Sequence, residues 1–222
     1  TTELGGNPDD SRVANLSRWF DPRAGTIQSA TQELLWNYHA EVCTMNAPKA
    51  QGVTGFLKRA GGKFELADIT IESANDYATV NVVSLDNQPI AKSRKVLAQI
   101  VTVNRLTGFK TRQASFTVGN GESAYTVKGE QIERIGKPPF RVANTLATLT
   151  LRNPRLNYAS VLDINGYPVS RLDIDRGRVK IPTDAIYVVL QATDGAVSSA
   201  EQPSIYRKPG IKLKLARNND EH

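Results

Sequence analysis

From residue 26 onward the apolar positions of this chain recur every second residue in short runs. The runs are rich in Val, Ile, Thr and aromatic residues and are bounded by Gly, Pro, Asn and Asp, which is the signature of β-strands joined by turns. The spacing predicts strands at Leu34–Tyr38, Glu41–Met45, Gly52–Leu57, Phe64–Ser73, Thr79–Leu85, Lys95–Asn104, Ala114–Val118 and Ser123–Val127. In the second half it predicts Leu146–Arg152, Ala159–Asp163, Val169–Asp173, Arg178–Ile181 and Ala185–Gln191. Within Phe64–Ser73 the alternation slips phase at Ala67-Asp68, which predicts a bulge. Thr79–Leu85 alternates less cleanly, as a strand buried on both faces would. Asp86-Asn87, Asn120-Gly121, Asn165-Gly166 and Asp175-Arg-Gly177 supply residues that tolerate positive φ at turns. Helical periodicity appears only in Ser11–Phe20, through Val13, Leu16 and Phe20, with Asp10 or Ser11 as the cap. Strands do not alternate with helices, so a parallel α/β fold is excluded in favour of an all-β, antiparallel β-sandwich of two packed sheets with a short N-terminal helix.

The same pattern sets the organisation. Residues 1–25 read as a linker or the end of a preceding domain, 26–192 as the sandwich module, and 193–222 as an extended segment. Ile211-Lys-Leu-Lys-Leu would form an edge strand there, its lysines discouraging further pairing. Leu85-Asp-Asn-Gln-Pro-Ile echoes Leu162-Asp-Ile-Asn-Gly-Tyr-Pro-Val. The echo is too short for a structural repeat and reads as one turn solution used twice.

The length of 222 residues is enough to bury a core without metals or disulfides. The single cysteine, Cys43, leaves no intramolecular disulfide. Alternation puts Val42 and Thr44 on one face and Cys43 and Met45 on the other, with Cys43 read as a buried structural thiol. The chain carries 28 Lys and Arg against 22 Asp and Glu, a net +6. These residues are spread along the strands rather than clustered. A solvated surface accounts for them, and no specific nucleic-acid partner is expected. No apolar run approaches the length of a membrane span.

Candidate chemistry is sparse. The only histidines are His39 and His222, so neither a zinc site nor a serine triad has its usual components. His39 reads as an exposed turn residue. No cofactor is expected: glycine-rich phosphate loops are missing, and Asp163, Asn165, Asp173 and Asp175 are explained as turn residues without calcium. Glycosidases need only two facing carboxylates. Glu33, Glu41, Glu65, Asp68 and Glu72 are available for that role but sit at turns or outward strand positions, which favours a non-catalytic chain. The remaining candidates are aromatic. Trp36 and Tyr38 share strand parity and so one face, and Trp19 lies upstream. Such rings could stack on a pyranose, or belong to a core or a domain interface.

Glu33-Leu-Leu-Trp-Asn-Tyr, Ala47-Pro-Lys-Ala-Gln-Gly-Val-Thr-Gly-Phe-Leu, Leu66-Ala-Asp-Ile-Thr-Ile-Glu-Ser and Ser84-Leu-Asp-Asn-Gln-Pro-Ile90, followed by Ser93-Arg-Lys-Val-Leu97, form a pattern over residues 26–192. Thr150-Leu-Arg152 and Leu162-Asp-Ile-Asn-Gly166 match it more loosely. The pattern resembles the β-sandwich module that follows the (β/α)8 catalytic barrel in some bacterial glycoside hydrolases. The resemblance implies a secreted, cell-surface or periplasmic accessory module with no catalytic residues of its own. It implies a catalytic (β/α)8 domain as partner and, in some members, contact with polysaccharide. A stand-alone carbohydrate- or polyanion-binding module and a structural or adhesive surface domain are the alternative readings.

Overall fold

The alternating runs form strands because each can place one row of side chains in a dry core. In the computed structural model, which describes residue 15 and residues 17–193, nearly all regular structure is antiparallel β. The described residues fall into two compact units. One holds the chain through Val101 and again from Thr145; the other is residues 102–144. The range read as one module is therefore interrupted by a second unit.

The first unit is a sandwich of unequal layers. Its strands are β1 (Phe20–Asp21), β2 (Thr26–Gln28), β3 (Leu34–Asn37), β4 (Val42–Ala47), β5 (Ala50–Gly55), β6 (Lys63–Glu65), β7 (Ile69–Ser73), β8 (Ala78–Ser84) and β9 (Lys95–Thr102). After the second unit follow β14 (Ala147–Leu151), β15 (Tyr158–Leu162), β16 (Pro168–Leu172), β17 (Arg178–Lys180) and β18 (Tyr187–Gln191). The large sheet has ten strands in the order β1-β2-β3-β4-β5-β8-β9-β18-β15-β16, and the small sheet four, β17-β14-β7-β6. One core joins them. Ile69, Ile71, Leu149 and Val179 of the small sheet are fully buried with Val53, Val80, Val82, Val96, Ala98, Val188 and Leu190 of the large one. A reciprocal pair ties the layers: Gln51 Nε2 donates to Asp68 Oδ2 (2.7 Å), and the Asp68 amide donates to Gln51 Oε1 (2.9 Å). Gln51 is fully buried, so this satisfaction is what makes it tolerable in the core.

Several expectations change in detail. The phase slip at Ala67-Asp68 is a hairpin turn rather than a bulge: Glu65 pairs with Thr70, and the Leu66 amide donates to the Ile69 carbonyl. β8 is buried on one face only, through Ala78, Val80 and Val82. The large sheet starts at Phe20, inside the segment read as a lead-in. Of the expected helix, Ser17–Trp19 form a short 3-10 turn and Phe20 already belongs to β1; residues 211–215 lie outside the described residues.

The second unit consists of two antiparallel ribbons. β10 (Asn104–Thr107) pairs with β13 (Lys137–Val142), and β11 (Lys110–Val118) with β12 (Tyr125–Arg134). Its neck is closed where the Thr102 hydroxyl donates to the Ala143 carbonyl at 2.5 Å. The β11–β12 ribbon is two-faced: Ala114, Phe116, Val118, Tyr125 and Val127 alternate with polar Ser115, Thr117, Thr126 and Lys128. β13 is not among the expected strands; it carries Pro138 and Pro139, which cannot donate to a ladder and suit an edge, and it has a single partner.

The turn between β8 and β9 is organised by Asp86. The Arg94 amide (2.6 Å) donates to Oδ2, and the Ser84 and Ser93 hydroxyls (2.8 Å each) and the Gln88 amide (3.3 Å) donate to Oδ1. These donors, the Arg94 amide foremost, hold the Asp86 carboxyl far below the usual carboxylate range. The turn also delivers Ile90, fully buried, into the core, and Asn153 Nδ2 fixes it by donating to the carbonyls of Ile90 (2.7 Å) and Ser93 (2.8 Å). A carboxyl acidified by folding stabilises the fold fully above its unfolded value near 3.8 and loses that contribution as pH falls below it. Asp86→Asn is therefore expected to cost about 1–2 kcal/mol at neutral pH, and the difference from wild type should shrink as pH drops below ~4. Urea denaturation of both proteins across that range checks it. Ile90→Ala should cost about 2–5 kcal/mol by the same assay.

Candidate functional site

The small sheet cannot cover the whole of the large one, and the uncovered end is where the aromatic candidates lie. Inward residues are dry from β5 to β15, but β3 carries Leu34, Leu35 and Trp36 at 46%, 36% and 50% exposure. Successive strand residues point to opposite faces, so β3 is apolar and exposed on both. On the outward face Phe20, Ile27, Trp36 and Cys43 form one cross-strand row through β1, β2, β3 and β4. Phe20 and Ile27 are exposed at 45% and 39%. Leu34 and Met45 extend this face by one pair, and Leu35 lies opposite Gln28 and Thr44 on the other side.

Tyr38 joins the row from the turn after β3. Its ring centroid is 6.0 Å from Trp36 at an interplanar angle of 66°, and 6.3 Å from Phe20 at 33°. Its hydroxyl donates to the Pro22 carbonyl at 3.4 Å, and its amide to the Gly25 carbonyl at 2.9 Å. Gly25, with φ +69°, is buried directly beneath the imidazole of His39, where any Cβ would collide with the ring. His39 is exposed in the turn, as expected, and stacks edge-on against Tyr38 at 4.8 Å. Asp21 caps the edge, its Oδ1 accepting the Arg23 and Ala24 amides at 2.9 and 3.0 Å. A two-residue edge strand closed by such a cap, with Pro22 next, offers little backbone for strand addition; what this end presents is side chains.

The three aromatic candidates thus separate. Trp36 and Tyr38 come together. Trp19 lies in the short turn ahead of β1, half-buried, with the Arg18 guanidinium 4.6 Å from its ring centroid, and among the described residues no ring contact links it to the pair. Phe20, Ile27, Leu34 and Leu35 belong to the patch but escaped sequence reasoning. The available signal was three consecutive apolar residues in a short strand, which breaks alternation. Cys43, expected to be buried, is half-buried next to Trp36 in the row, because the inward position of its strand belongs to Val42.

Other candidates resolve as structure. Asp163 Oδ1 accepts the Asn165 and Tyr167 amides, both at 2.9 Å, a turn cap of the same kind as Asp86. Among the described residues no three His, Cys, Asp or Glu side chains come together as metal ligands, and no helix is long and apolar enough to cross a membrane. Comparison with protein-family models, curated proteins and solved structures finds no match for this chain.

Trp36 contributes surface rather than core, so Trp36→Ala is expected to change stability by less than about 1 kcal/mol while lowering the fluorescence of a bound apolar dye. Chemical denaturation and dye titration on the same samples check both halves.

Proposed function

We propose that this chain is a non-catalytic β-sandwich accessory module of a polysaccharide-degrading glycoside hydrolase, acting outside the cytoplasm, and that it seats the β1–β3 end of its large sheet against the (β/α)8 catalytic domain. The observation that carries this reading is the exposure of apolar side chains on both faces of β3. A pyranose stacks on the flat of a ring and needs one accessible face. A protein partner that wraps an overhanging edge uses two. Trp36 and Tyr38 also stand nearly edge to face, which suits packing between proteins better than a flat sugar platform. Trp and Tyr beside exposed aliphatic residues is the composition expected at the centre of an interface.

The direct test is calorimetric titration of the chain into the catalytic (β/α)8 domain with which this reading pairs it, alongside affinity electrophoresis against neutral and acidic polysaccharides. The expected result is saturable binding to the catalytic domain, weakened at least tenfold by Trp36→Ala or Leu35→Asp, with no retardation in glycan gels. Retardation by a neutral glycan that Trp36→Ala abolishes, without domain binding, would replace this reading with a carbohydrate-binding module.

A further inference from the structure

The outer face of the small sheet carries a second feature, independent of the docking edge. Alternation aims Thr70 and Glu72 of β7, Thr148 and Thr150 of β14, and Arg178 and Lys180 of β17 away from the core. The register places Lys63, Glu72, Thr148 and Lys180 in one cross-strand row, with Arg178 in the next. At one end of this face the turn 58–62 and the segment around Leu146 rise to enclose an open depression of about 480 Å³. That volume falls within the range of small-molecule sites.

Lys58, Glu72, Thr148 and Arg178 bring outward polar side chains to the depression, whereas the Ser73 hydroxyl is buried and donates to Asn75 Oδ1. Four amides of the turn are already committed: Lys58 donates to Asn75, Ala60 to Phe56, Gly61 to Lys58 and Gly62 to Leu57. Recognition therefore falls to side chains. Arg178 Nη2 lies 2.7 Å from Glu72 Oε2, yet that buried oxygen receives no hydrogen bond of acceptable geometry. The two groups pair by charge, and the directional capacity of Glu72 Oε2 is left unused. Among the described residues the Thr148 hydroxyl has no hydrogen-bond partner. Among the described residues the Lys58 ammonium has one ion-pair contact, to exposed Asp76 at 3.7 Å. Leu146, 47% exposed, supplies an apolar side to the rim.

Two cations, one carboxylate, one hydroxyl and an apolar rim define a ligand. It should carry a single negative charge for Lys58 and Arg178, hydroxyls for Glu72 and Thr148, and an apolar flank for Leu146. A dianionic phosphate is disfavoured because the Glu72 carboxylate lines the same depression and would repel the second charge. A neutral sugar leaves Lys58, whose contact to Asp76 is long and exposed, and the remaining Arg178 donors without an anionic partner. We propose that the depression around Glu72, Thr148, Arg178 and Lys58 binds one monoanionic sugar acid, of the uronate class. The site lies on the small sheet and does not depend on the docking of β1–β3.

The test uses the full chain and sodium D-glucuronate as the probe, followed by calorimetry or NMR at low salt, with glucose, acetate and inorganic phosphate as comparators. The expected result is saturable glucuronate binding that is weaker for all three comparators. Glu72→Gln and Arg178→Gln should each weaken it by about tenfold, and Thr148→Val by a smaller factor, with thermal unfolding midpoints unchanged. Should Arg178→Gln fail to fold, Lys58→Gln, at an exposed position, carries the charge test and is expected to weaken binding several-fold. The proposal is overturned by the absence of saturation, by saturation that neither Glu72→Gln nor Lys58→Gln changes, or by glucose, acetate or phosphate binding as tightly as glucuronate.

Discussion

A core closed between ten strands on one side and four on the other dries only the strands that lie over the narrower layer. Val53, Val80, Val96, Ala98 and Leu190 meet Ile69, Ile71 and Leu149 and are sealed. Leu35, on the same inward face, meets no covering strand and stays at the surface. Burying a large apolar side chain contributes about 1.5–3 kcal/mol, so a strand with three of them exposed forgoes several kcal/mol that a partner surface could recover. The unequal layers thus produce both the stable sandwich and the uncovered end that is proposed to dock. The same architecture leaves the small sheet's outer face free to be polar, which is where the depression around Glu72 sits.

The polar groups that hold the layers in register are few and well satisfied. Gln51 and Asp68 exchange two hydrogen bonds across the sandwich. Asp86 gathers four donors at the β8–β9 turn, and Asn153 clamps the carbonyls behind it. Groups of this kind contribute specificity as much as stability, because a shifted register would strand buried donors and acceptors. They also account for a sequence pattern. In Ser84-Leu-Asp-Asn-Gln-Pro-Ile90 and Ser93, the residues Ser84, Asp86, Ile90 and Ser93 each fill a position in one hydrogen-bonded turn.

The all-β class, the antiparallel pairing and most strand positions were legible in the sequence, because alternation and turn chemistry are local. Asn165-Gly166 and Asp175-Arg-Gly177 turn the chain where expected, the latter with Arg176 at φ +48° and Gly177 at +80°. Long-range features were not legible. Nothing local distinguishes Leu35 from Val53, since both alternate inward; only the pairing of β7, β14 and β17 decides which is covered. The separation of residues 102–144 into their own unit was hidden because their strands have the same composition as the rest. Of the site, Trp36 and Tyr38 were found by parity, whereas Phe20 was lost to a helical spacing and Glu72 looked like one outward carboxylate among several. Its significance comes from Arg178, more than a hundred positions away in sequence and two strand pairings away in space, across β14.

The central claim is that the β1–β3 end of the large sheet is a surface made to be covered. Hydrogen exchange of the chain alone and in the presence of the proposed (β/α)8 partner domain tests it most directly. The account predicts slowed exchange concentrated in Phe20–Asp21, Thr26–Gln28 and Leu34–Asn37 on addition of the domain, with the strands under the small sheet unchanged. Complex formation that protects other segments and leaves these three exchanging as in the isolated chain would contradict it.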